Sequence, residues 1–571
     1  MSAQSSRKGH WFPRACLEMR LGAVASSLES CLQAVWASGR RMAGLQTRIL
    51  RQALRPAAAS LPLACLVVLG AEAAGSNQGS DSGLTKPRVE TRAELGKKLA
   101  ELHCAACHLF PAPELLDMKT WKEQTLPRMA FRMGLAPAMF EKYPDAEYIR
   151  ASGVIPGAPM VSPDEFKQMA AYYLETAPEK ARPQDRRNRI VVGLDNFAFD
   201  PVRFRHAPPS TTLVHISQPT RRIYFGDDAS KSLNVLDSSG GFIDSVKVQN
   251  VPVSLTETAR GIYLTMIGRF IPSEEPLGGL VFLRRTEQSF EPAKTFFKNM
   301  PRMTDAVFAD VNHDGKPDIV TCYFGYFSGR FGWYENLGKD EFREHVLLPK
   351  PGAVRSVVQD LNGDGFRDIA VLVAQETESL FIFINDGKGN FASQTVFQQP
   401  PIYGHTHFEV VDFDRDGRPD FLVSNGDNGE YPSPIKKYHG VRLYLNKSEH
   451  RFEQSFFYPL NGAFKATAHD FDGDDDLDIA AISYFPDYEN SPEEGFVYLE
   501  NLGNRRFAAS TFRQCLAGRW LTMDVGDLDS DGDLDIVLGS YIRGPSDVPQ
   551  KLAEDWERAG PSVAILRNRL K

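Results

Sequence analysis

The feature that most constrains this chain is an acidic nine-residue segment that occurs five times between residues 310 and 535. Each copy follows D-x-[DN]-x-D-G-x-x-D, except that Asp475 replaces the glycine of the fourth copy. The copies begin 50, 52, 58 and 57 residues apart, at Asp310, Asp360, Asp412, Asp470 and Asp527. Self-similarity at such a period predicts an array of stacked structural units.

The acidic segments have the composition of cation-binding loops. Oxygens at positions one, three and five, with a glycine for the sharp turn, suit a hard cation such as Ca²⁺. Position twelve is never the glutamate of an EF-hand, whereas position nine is always aspartate. We expect up to five Ca²⁺ ions; solvated acidic turns without metal are the alternative. The expected ligands are Asp310, Asn312, Asp314, Asp318, Asp360, Asn362, Asp364, Asp368, Asp412, Asp414, Asp416, Asp420, Asp470, Asp472, Asp474, Asp478, Asp527, Asp529, Asp531 and Asp535.

The repeats also predict the fold of the C-terminal part. Each ninth aspartate precedes an apolar pair typical of a buried strand, and each repeat ends in an Asn-containing turn. The pattern resembles the FG-GAP/VCBS repeats of integrin α-chain propellers and of bacterial exported proteins, over about residues 303–570. Two upstream segments, 221–240 and 261–285, look like blades without acidic loops. Five blades plus two predict an all-β seven-bladed propeller over 191–571, a closed ring that leaves no long exposed sheet edge.

A second motif lies at residues 104–108, which read C-A-A-C-H. Two thiols one helical turn apart, followed by a histidine, are typical of covalent haem attachment. A zinc site would need a second Cys/His pair, and a redox-active pair would need a βαβ context. The sequence therefore predicts one covalent haem c on Cys104 and Cys107, with His108 as an iron ligand.

The region around this motif resembles a class I cytochrome c domain, over about residues 88–180. The resemblance implies a small all-α domain and a methionine as sixth ligand. Met160 is favoured because it lies in an extended I-P-G-A-P-M-V stretch before a helix with a capping box. Met129 and Met133 are the second choice, and the other candidates are Met118, Met139 and Met169. The chain is thus expected to be multidomain, with a charged, proline-containing linker at 181–190.

The first 73 residues have the features of a leader. An apolar stretch at 57–70 follows three arginines and precedes Ala71-Glu72-Ala73, which indicates a cleaved secretory signal peptide. A leader of the ordinary arrangement would start at Met42, and a lipoprotein anchored at Cys65 or an uncleaved anchor stays open. We expect a periplasmic or secreted protein whose mature form lacks a membrane span.

The negative charge of the chain argues against nucleic acid as a partner. Net charge is −8, and residues 1–73 hold nine Lys/Arg and three Asp/Glu, so the remainder carries about −14 (−8 minus +6). A chain this acidic lacks the basic footprint that nucleic acid requires.

A ligand site is predicted at the mouth of the propeller opposite the acidic loops. If each acidic loop follows the innermost strand, the residues five before each first aspartate lie near that mouth: Asp305, Arg355, His407, Lys465 and Thr522. Arg355, His405, His407 and Lys465 are the candidate catalytic residues, and they suit an anionic or hydroxyl-rich ligand. A generally polar, wet mouth is the alternative. His405 and His407 could share a metal, but no third ligand is visible.

Three functions fit these motifs. The first is periplasmic electron transfer by a haem protein whose calcium-stabilised propeller binds a redox partner, a saccharide or an anionic small molecule. The second is a haem-coupled periplasmic dehydrogenase, in which the propeller oxidises a small hydroxylated or anionic substrate. The third is an adhesion or carbohydrate-binding propeller, which leaves the haem motif without a use.

Overall fold

A computed structural model describes residues 91–135, 144–185, 189–448, 451–544 and 547–570 of the chain. The predicted leader and Met139 lie outside these residues. Within the described parts, none of the helices is long and apolar enough to cross a membrane.

Seven sheets of antiparallel strands follow one another along the chain and are numbered here as blades 1–7. Blade 1 contains β3 (Thr211–Ser217), β4 (Arg222–Asp227), β5 (Ser232–Leu236) and β6 (Phe242–Lys247). Blade 2 contains β7 (Pro252–Thr258), β8 (Gly261–Met266), β9 (Gly278–Arg285) and β10 (Phe290–Met300). Blade 3 contains β11 (Met303–Ala309), β12 (Asp318–Tyr323), β13 (Arg330–Gly338) and β14 (Glu341–Leu348).

The remaining blades repeat this order. Blade 4 contains β15 (Ala353–Gln359), β16 (Asp368–Val373), β17 (Ser379–Asn385) and β18 (Phe391–Gln398), and blade 5 contains β19 (His405–Val411), β20 (Asp420–Asn425), β21 (Gly440–Ser448) and β22 (Arg451–Pro459). Blade 6 contains β23 (Ala463–His469), β24 (Asp478–Ser483), β25 (Phe496–Asn501) and β26 (Phe507–Thr511). Blade 7 contains β27 (Trp520–Gly526), β28 (Asp535–Ser540) and β29 (Val563–Asn568).

The ring is closed by strands from the start of the propeller. β2 (Phe197–Pro201) pairs antiparallel with β29 as the fourth strand of blade 7, and β1 (Val191–Val192) pairs parallel with β26 of blade 6. The predicted seven-bladed propeller is confirmed, including the two blades without acidic loops. Its closure by β2 was not predicted, because a strand's own sequence does not encode a partner more than 360 residues away.

The acidic loops are followed by the most buried strands. β12, β16, β20, β24 and β28 each start at a ninth aspartate and are buried at every residue. Their side chains pack into apolar clusters between neighbouring blades, such as that of Val320, Phe331, Val371 and Phe383. The first strand of each blade forms the inner edge of its sheet and packs against the first strands of its neighbours. These seven strands therefore surround the central channel.

The region before the propeller is helical. It contains α1 (Arg92–Cys104), a 3₁₀ turn (Pro113–Leu115), α2 (Met118–Thr120), a π-helical turn (Trp121–Thr125), α3 (Leu126–Arg132), α4 (Ala146–Ser152) and α5 (Pro163–Thr176). A further helix, α6 (Gln550–Ala559), lies between β28 and β29. The capping box predicted at the start of α5 is present, since Ser162 and Glu165 exchange side-chain-to-backbone hydrogen bonds.

The first and last helices of this region pack closely at one glycine. A Cβ added to Gly96 in α1 would lie 2.1 Å from the carbonyl oxygen of Gln168 in α5 and 3.0 Å from Cβ of Tyr172. Only glycine allows the two backbones to approach this far. The crossing places the end of α1, where the cysteines lie, beside the apolar cluster of Leu116, Trp121 and Tyr173.

Candidate functional site

The acidic loops join the first strand to the second in blades 3–7, as predicted, and all five share one backbone conformation. The residues at positions four and six have positive φ in every copy: His313 and Gly315, Gly363 and Gly365, Arg415 and Gly417, Gly473 and Asp475, Ser530 and Gly532. Asp475 keeps the turn with φ of 72°, because aspartate is among the residues that tolerate this region. The missing glycine therefore does not alter the fourth loop.

Carboxylates converge in three of the loops. In blade 5, oxygens of Asp412, Asp414 and Asp420 lie within 4.8 Å of one another. The corresponding groups are Asp470, Asp472 and Asp474 in blade 6, and Asp527, Asp529 and Asp531 in blade 7. Blades 3 and 4 have asparagine at position three, where an amide oxygen takes the place of a carboxylate. These acidic groups could hold hard cations, and the full set of twenty ligands stays a prediction.

Besides its expected role as a cation ligand, the ninth aspartate holds the backbone of its blade in place. Asp368 is fully buried, and its two oxygens accept hydrogen bonds from the backbone N–H groups of Leu361 and Asn385, both at 2.9 Å. The carboxylate thus ties the acidic loop to the end of β17. The same pair of bonds occurs at Asp318, Asp420, Asp478 and Asp535.

Electrostatics at the ninth position favour a bound cation. Burial, together with the carboxylates earlier in each loop, raises the pKa of Asp420 to about 6. The pKa of Asp478 and that of Asp535 are likewise raised to about 6, chiefly by burial. A divalent cation would neutralise the crowded carboxylates and restore their ionised forms.

The asparagine that closes each repeat belongs to the same structure. Asn385 Nδ2 donates to the carbonyls of Val311 in blade 3 and Arg367 in its own loop, at 2.7 and 2.9 Å. Sequence reasoning assigned these asparagines only to turns. Their recurrence at the same place in each repeat was the signal that could have revealed the contact.

The C-A-A-C-H segment forms the end of α1 and the turn that follows. Cys104 is buried, Cys107 is exposed and both thiols are free. Burial raises the pKa of Cys104 to about 11. His108 continues the turn through a backbone hydrogen bond to the Cys104 carbonyl, and its Nδ1 lies 2.9 Å from the Leu109 carbonyl oxygen. That bond orients the ring and leaves Nε2 as the nitrogen able to ligate a metal.

Two of the methionine candidates meet near this segment. Met133 is buried in the same apolar cluster as Cys104, whereas the side chain of Met160 is 47% exposed. The backbone N–H of Met160 donates to the carbonyl of Met133 at 3.0 Å, so the two residues are neighbours. Met129 lies one helical turn before Met133 in α3. The sixth ligand stays a prediction, with Met160 and Met133 both in place to be tested.

The helical region packs on the propeller face opposite the acidic loops. Arg132 donates to the carbonyl of Tyr326 at 2.9 Å and lies 3.6 Å from Glu376, in the loops that follow β12 and β16. Phe131 packs edge-on against Phe327, with 5.9 Å between ring centroids. Further contacts reach the loops of blades 2 and 5, through Asp145 to Glu274 N and through Gln124 to Tyr431 N. The mouth predicted to face a ligand therefore also carries the helical region.

This packing brings the propeller close to the C-A-A-C-H segment. His108 is partly buried, and this burial is the main factor that lowers its pKa, while the charges of Glu376 and Arg132 act on it in opposite directions. Neutral imidazole is the form that ligates a metal. The described linker residues add a contact, since Gln184 donates to the carbonyls of Lys436 and His439.

The four candidate mouth residues separate into two groups. Arg355, His407 and Lys465 lie on the inner strands of blades 4, 5 and 6 at equivalent positions. His405 lies elsewhere, because a β-bulge separates it from His407; its Nδ1 is 2.7 Å from Glu378 of blade 4, in a fully buried pair. In a regular strand, residues two positions apart lie on the same side, and this bulge interrupts that alternation between His405 and His407.

Two cysteines of the propeller, Cys322 and Cys515, are buried free thiols. They lie in blade 3 and between blades 6 and 7. Neither is part of the sites described above.

Comparison with known proteins finds a family model and structural likenesses. The FG-GAP-like repeat model matches residues 310–371, 360–423 and 470–538. None of the curated proteins matches. Among solved structures, Sqt1 of Saccharomyces cerevisiae has 7% identity and a TM-score of 0.40, covering 65% of this chain and 100% of that one. BBS1N, solved in complex with ARL6DN, has 12% identity and a TM-score of 0.41, covering 67% and 98%. A putative 6-phosphogluconolactonase from Bacteroides fragilis has 11% identity and a TM-score of 0.37, covering 53% and 82%.

The matched residues include the acidic loops of blades 3–7 and all or most of the strand that follows each loop. The chain therefore contains FG-GAP-like repeats, and they form part of a seven-bladed β-propeller that could serve as a platform for a ligand or a partner.

Proposed function

We propose that this chain is an exported c-type haem protein that transfers electrons, with a calcium-stabilised propeller as the platform for its partner or ligand. The observation that carries the proposal is the C-A-A-C-H segment at the end of α1, placed beside the apolar cluster of the helical region. Export rests on the leader predicted at 1–73, and a periplasmic or secreted location belongs to the proposal.

The donor set fits a covalently attached haem. Cys104 and Cys107 would form the thioether bonds, and His108 offers Nε2 because its Nδ1 is engaged by the Leu109 carbonyl. Met160, or Met133 beside it, would supply the sixth ligand. Haem bound by histidine and methionine cycles between two iron oxidation states without an open coordination position. The role of the protein is then to exclude water from the site and to set its potential.

The position of the helical region supports coupling between the two parts. Arg132 binds the propeller loops through Tyr326 and Glu376, and both Arg132 and Glu376 act electrostatically on His108. An electron carrier needs its partner close to the redox centre, and the same face of the propeller offers a surface for docking. This contact also favours the second candidate, a haem-coupled dehydrogenase whose substrate binds in the propeller.

Covalent haem is tested by purifying the full chain from cells able to attach haem c and staining it for haem after denaturing electrophoresis. The wild type should stain, and Cys104→Ala together with Cys107→Ala should not. Cys515→Ala, which removes a propeller thiol instead, is the matched control and should stain like the wild type. A wild-type protein that folds but carries no covalent haem would refute the proposal.

The two candidate functions are separated by reduction of the attached haem. Oxidised protein is mixed with a panel of sugars, alcohols and organic acids, and its visible spectrum is followed. Substrate-driven reduction supports the dehydrogenase, whereas reduction only by protein or small-molecule electron donors supports the carrier.

A further inference from the structure

Three basic side chains lie at one level of the propeller channel. Arg355, His407 and Lys465 are on β15, β19 and β23, the inner strands of three consecutive blades. Each directly follows a register shift, and each pairs with the penultimate residue of the second strand in its own blade. Neighbouring inner strands pack side by side, so that His407 lies between the other two.

Several buried nitrogen atoms of this group lack well-formed hydrogen bonds. His407 is 9% exposed, and neither of its ring nitrogens makes a well-formed hydrogen bond, although the backbone of Ala466 in blade 6 lies close enough to act on the ring. Nε of Arg355 is also buried without a partner. Lys465 donates to the carbonyl of Met523 at 2.7 Å, and none of the ion pairs among the described residues involves Lys465 or Arg355. Buried charges and polar groups without partners are costly, which points to a bound polar group.

The acidic side chains of the channel are hydrogen-bonded to groups of adjacent strands, and Asp524 and Glu409 also act electrostatically on Lys465. Asp305, at the same level in blade 3, accepts from Ser254 Oγ at 2.7 Å and from Ser356 N at 2.9 Å. Glu409 accepts from Ala468 N at 3.1 Å. Asp524 accepts from Ile216 N at 2.7 Å and lies 3.4 Å from Nδ1 of His215. These carboxylates reduce the net charge of the channel, but their hydrogen bonds fix them to backbone and side-chain groups of adjacent strands.

We propose that Arg355, His407 and Lys465 form a binding site for a small oxyanion, a carboxylate or a phosphate group, inside the propeller. A guanidinium presents two parallel N–H groups to two oxygens of such a group, and an ammonium adds a point charge. The ring of His407 is kept neutral, since burial and then the two cations lower its pKa. It therefore offers one N–H donor to the anion rather than a third full charge.

This site deepens the platform role of the propeller proposed above, but its chemistry is independent of the haem. Binding is measured by isothermal titration on the intact, calcium-replete chain, with sodium succinate, sodium phosphate and sodium chloride at matched ionic strength. We expect saturable binding of succinate or phosphate and none of chloride. Tighter binding of succinate assigns the site to carboxylates, and tighter binding of phosphate assigns it to phosphate esters.

The variant Arg355→Gln should lower the affinity for the anion by about tenfold or more. A charge-assisted hydrogen bond contributes about 1.5–3 kcal/mol, and 1.4 kcal/mol corresponds to a tenfold change in affinity. Lys465→Gln should weaken it to a similar extent. Arg505→Gln, at an exposed turn of blade 6, makes the same charge change outside the channel and should bind like the wild type. If Arg355→Gln does not fold, Arg355→Lys keeps the charge, loses the two-pronged geometry and should still bind more weakly.

Two results would overturn the site. One is the absence of saturable oxyanion binding to the folded wild-type chain, which would mean that water alone satisfies His407. The other is unchanged affinity in both Arg355→Gln and Lys465→Gln. Because the titration does not depend on haem, either result leaves the haem-staining experiment to be judged separately.

Discussion

The ninth aspartate of each acidic loop is expected to stabilise the propeller even without calcium, and the substitution Asp368→Asn tests this. Asp368 is fully buried and accepts backbone hydrogen bonds from Leu361 and Asn385, both at 2.9 Å. Asparagine keeps one acceptor oxygen and turns an NH₂ group toward the other N–H. The loop would then lose one of its two ties to the end of β17.

The size of the effect follows from these bonds. One charge-assisted hydrogen bond contributes about 1.5–3 kcal/mol, and the N–H left without a partner costs about 1–3 kcal/mol more. Removing the buried charge offsets part of this, since burial and the neighbouring carboxylates raise the pKa of Asp368. The net loss in free energy of unfolding should be about 3 kcal/mol.

The matched control is Asp364→Asn in the same loop. Asp364 is exposed, and its carboxylate accepts only from Phe366 N and Asn362 Nδ2, both at 2.8 Å within the turn. Its loss should change stability by less than about 1 kcal/mol in EDTA but should reduce the extra stability gained on adding Ca²⁺.

Chemical denaturation of both variants in EDTA and in excess Ca²⁺ measures these differences. If Asp368→Asn equals the wild type in EDTA and differs only in Ca²⁺, the ninth aspartate acts solely as a metal ligand. If Ca²⁺ does not stabilise the wild type at all, the five loops are acidic turns without metal.

Three further outcomes are expected. Gly96→Ala should cost about 1–3 kcal/mol, because its Cβ would lie 2.1 Å from the Gln168 carbonyl oxygen; an unchanged denaturation midpoint would contradict the close helix crossing. Although burial opposes the charged form, Asp524 and a second carboxylate raise the pKa of His215 to about 9. The charged ring therefore contributes its full stabilisation below about pH 6.5, and this contribution is lost as the pH rises through 9. His215→Gln should flatten the dependence of the free energy of unfolding on pH over that window. Equal slopes in the variant and the wild type would refute this. Arg132→Ala should loosen the helical region from the propeller and speed limited proteolysis between residues 177 and 190, and an unchanged digestion rate would count against the contact.

Much of the propeller could be predicted because its pattern is local and repeated. Each acidic loop, the strand that starts at its ninth aspartate and the closing asparagine turn lie within one stretch of chain, as in the segment from Asp360 to Asn385. Counting such stretches gives five blades, and the segments 221–240 and 261–285, which lack acidic loops, indicate the other two. The inner-strand positions of Arg355, His407 and Lys465 also followed from a fixed offset to the loops.

Contacts between residues far apart in the sequence could not be predicted from these local patterns. The pairing of Asp368 with a backbone group at the end of β17 and the separation of His405 from His407 by a bulge depend on strand register, which the residue pattern does not fix. The bond from Arg132 to Tyr326 joins residues 194 positions apart.

By itself, the sequence determined the ring of seven blades, the acidic loops on one face and the C-A-A-C-H segment at the end of a helix, because each of these depends on side chains close together in the chain. Only the tertiary structure decided how β2 closes the ring, that the helical region rests on the face opposite the loops, and that buried nitrogens of Arg355 and His407 lack well-formed hydrogen bonds. Those features arise from packing between distant segments, where the free energy of burial and hydrogen bonding selects one arrangement from many that the local pattern allows.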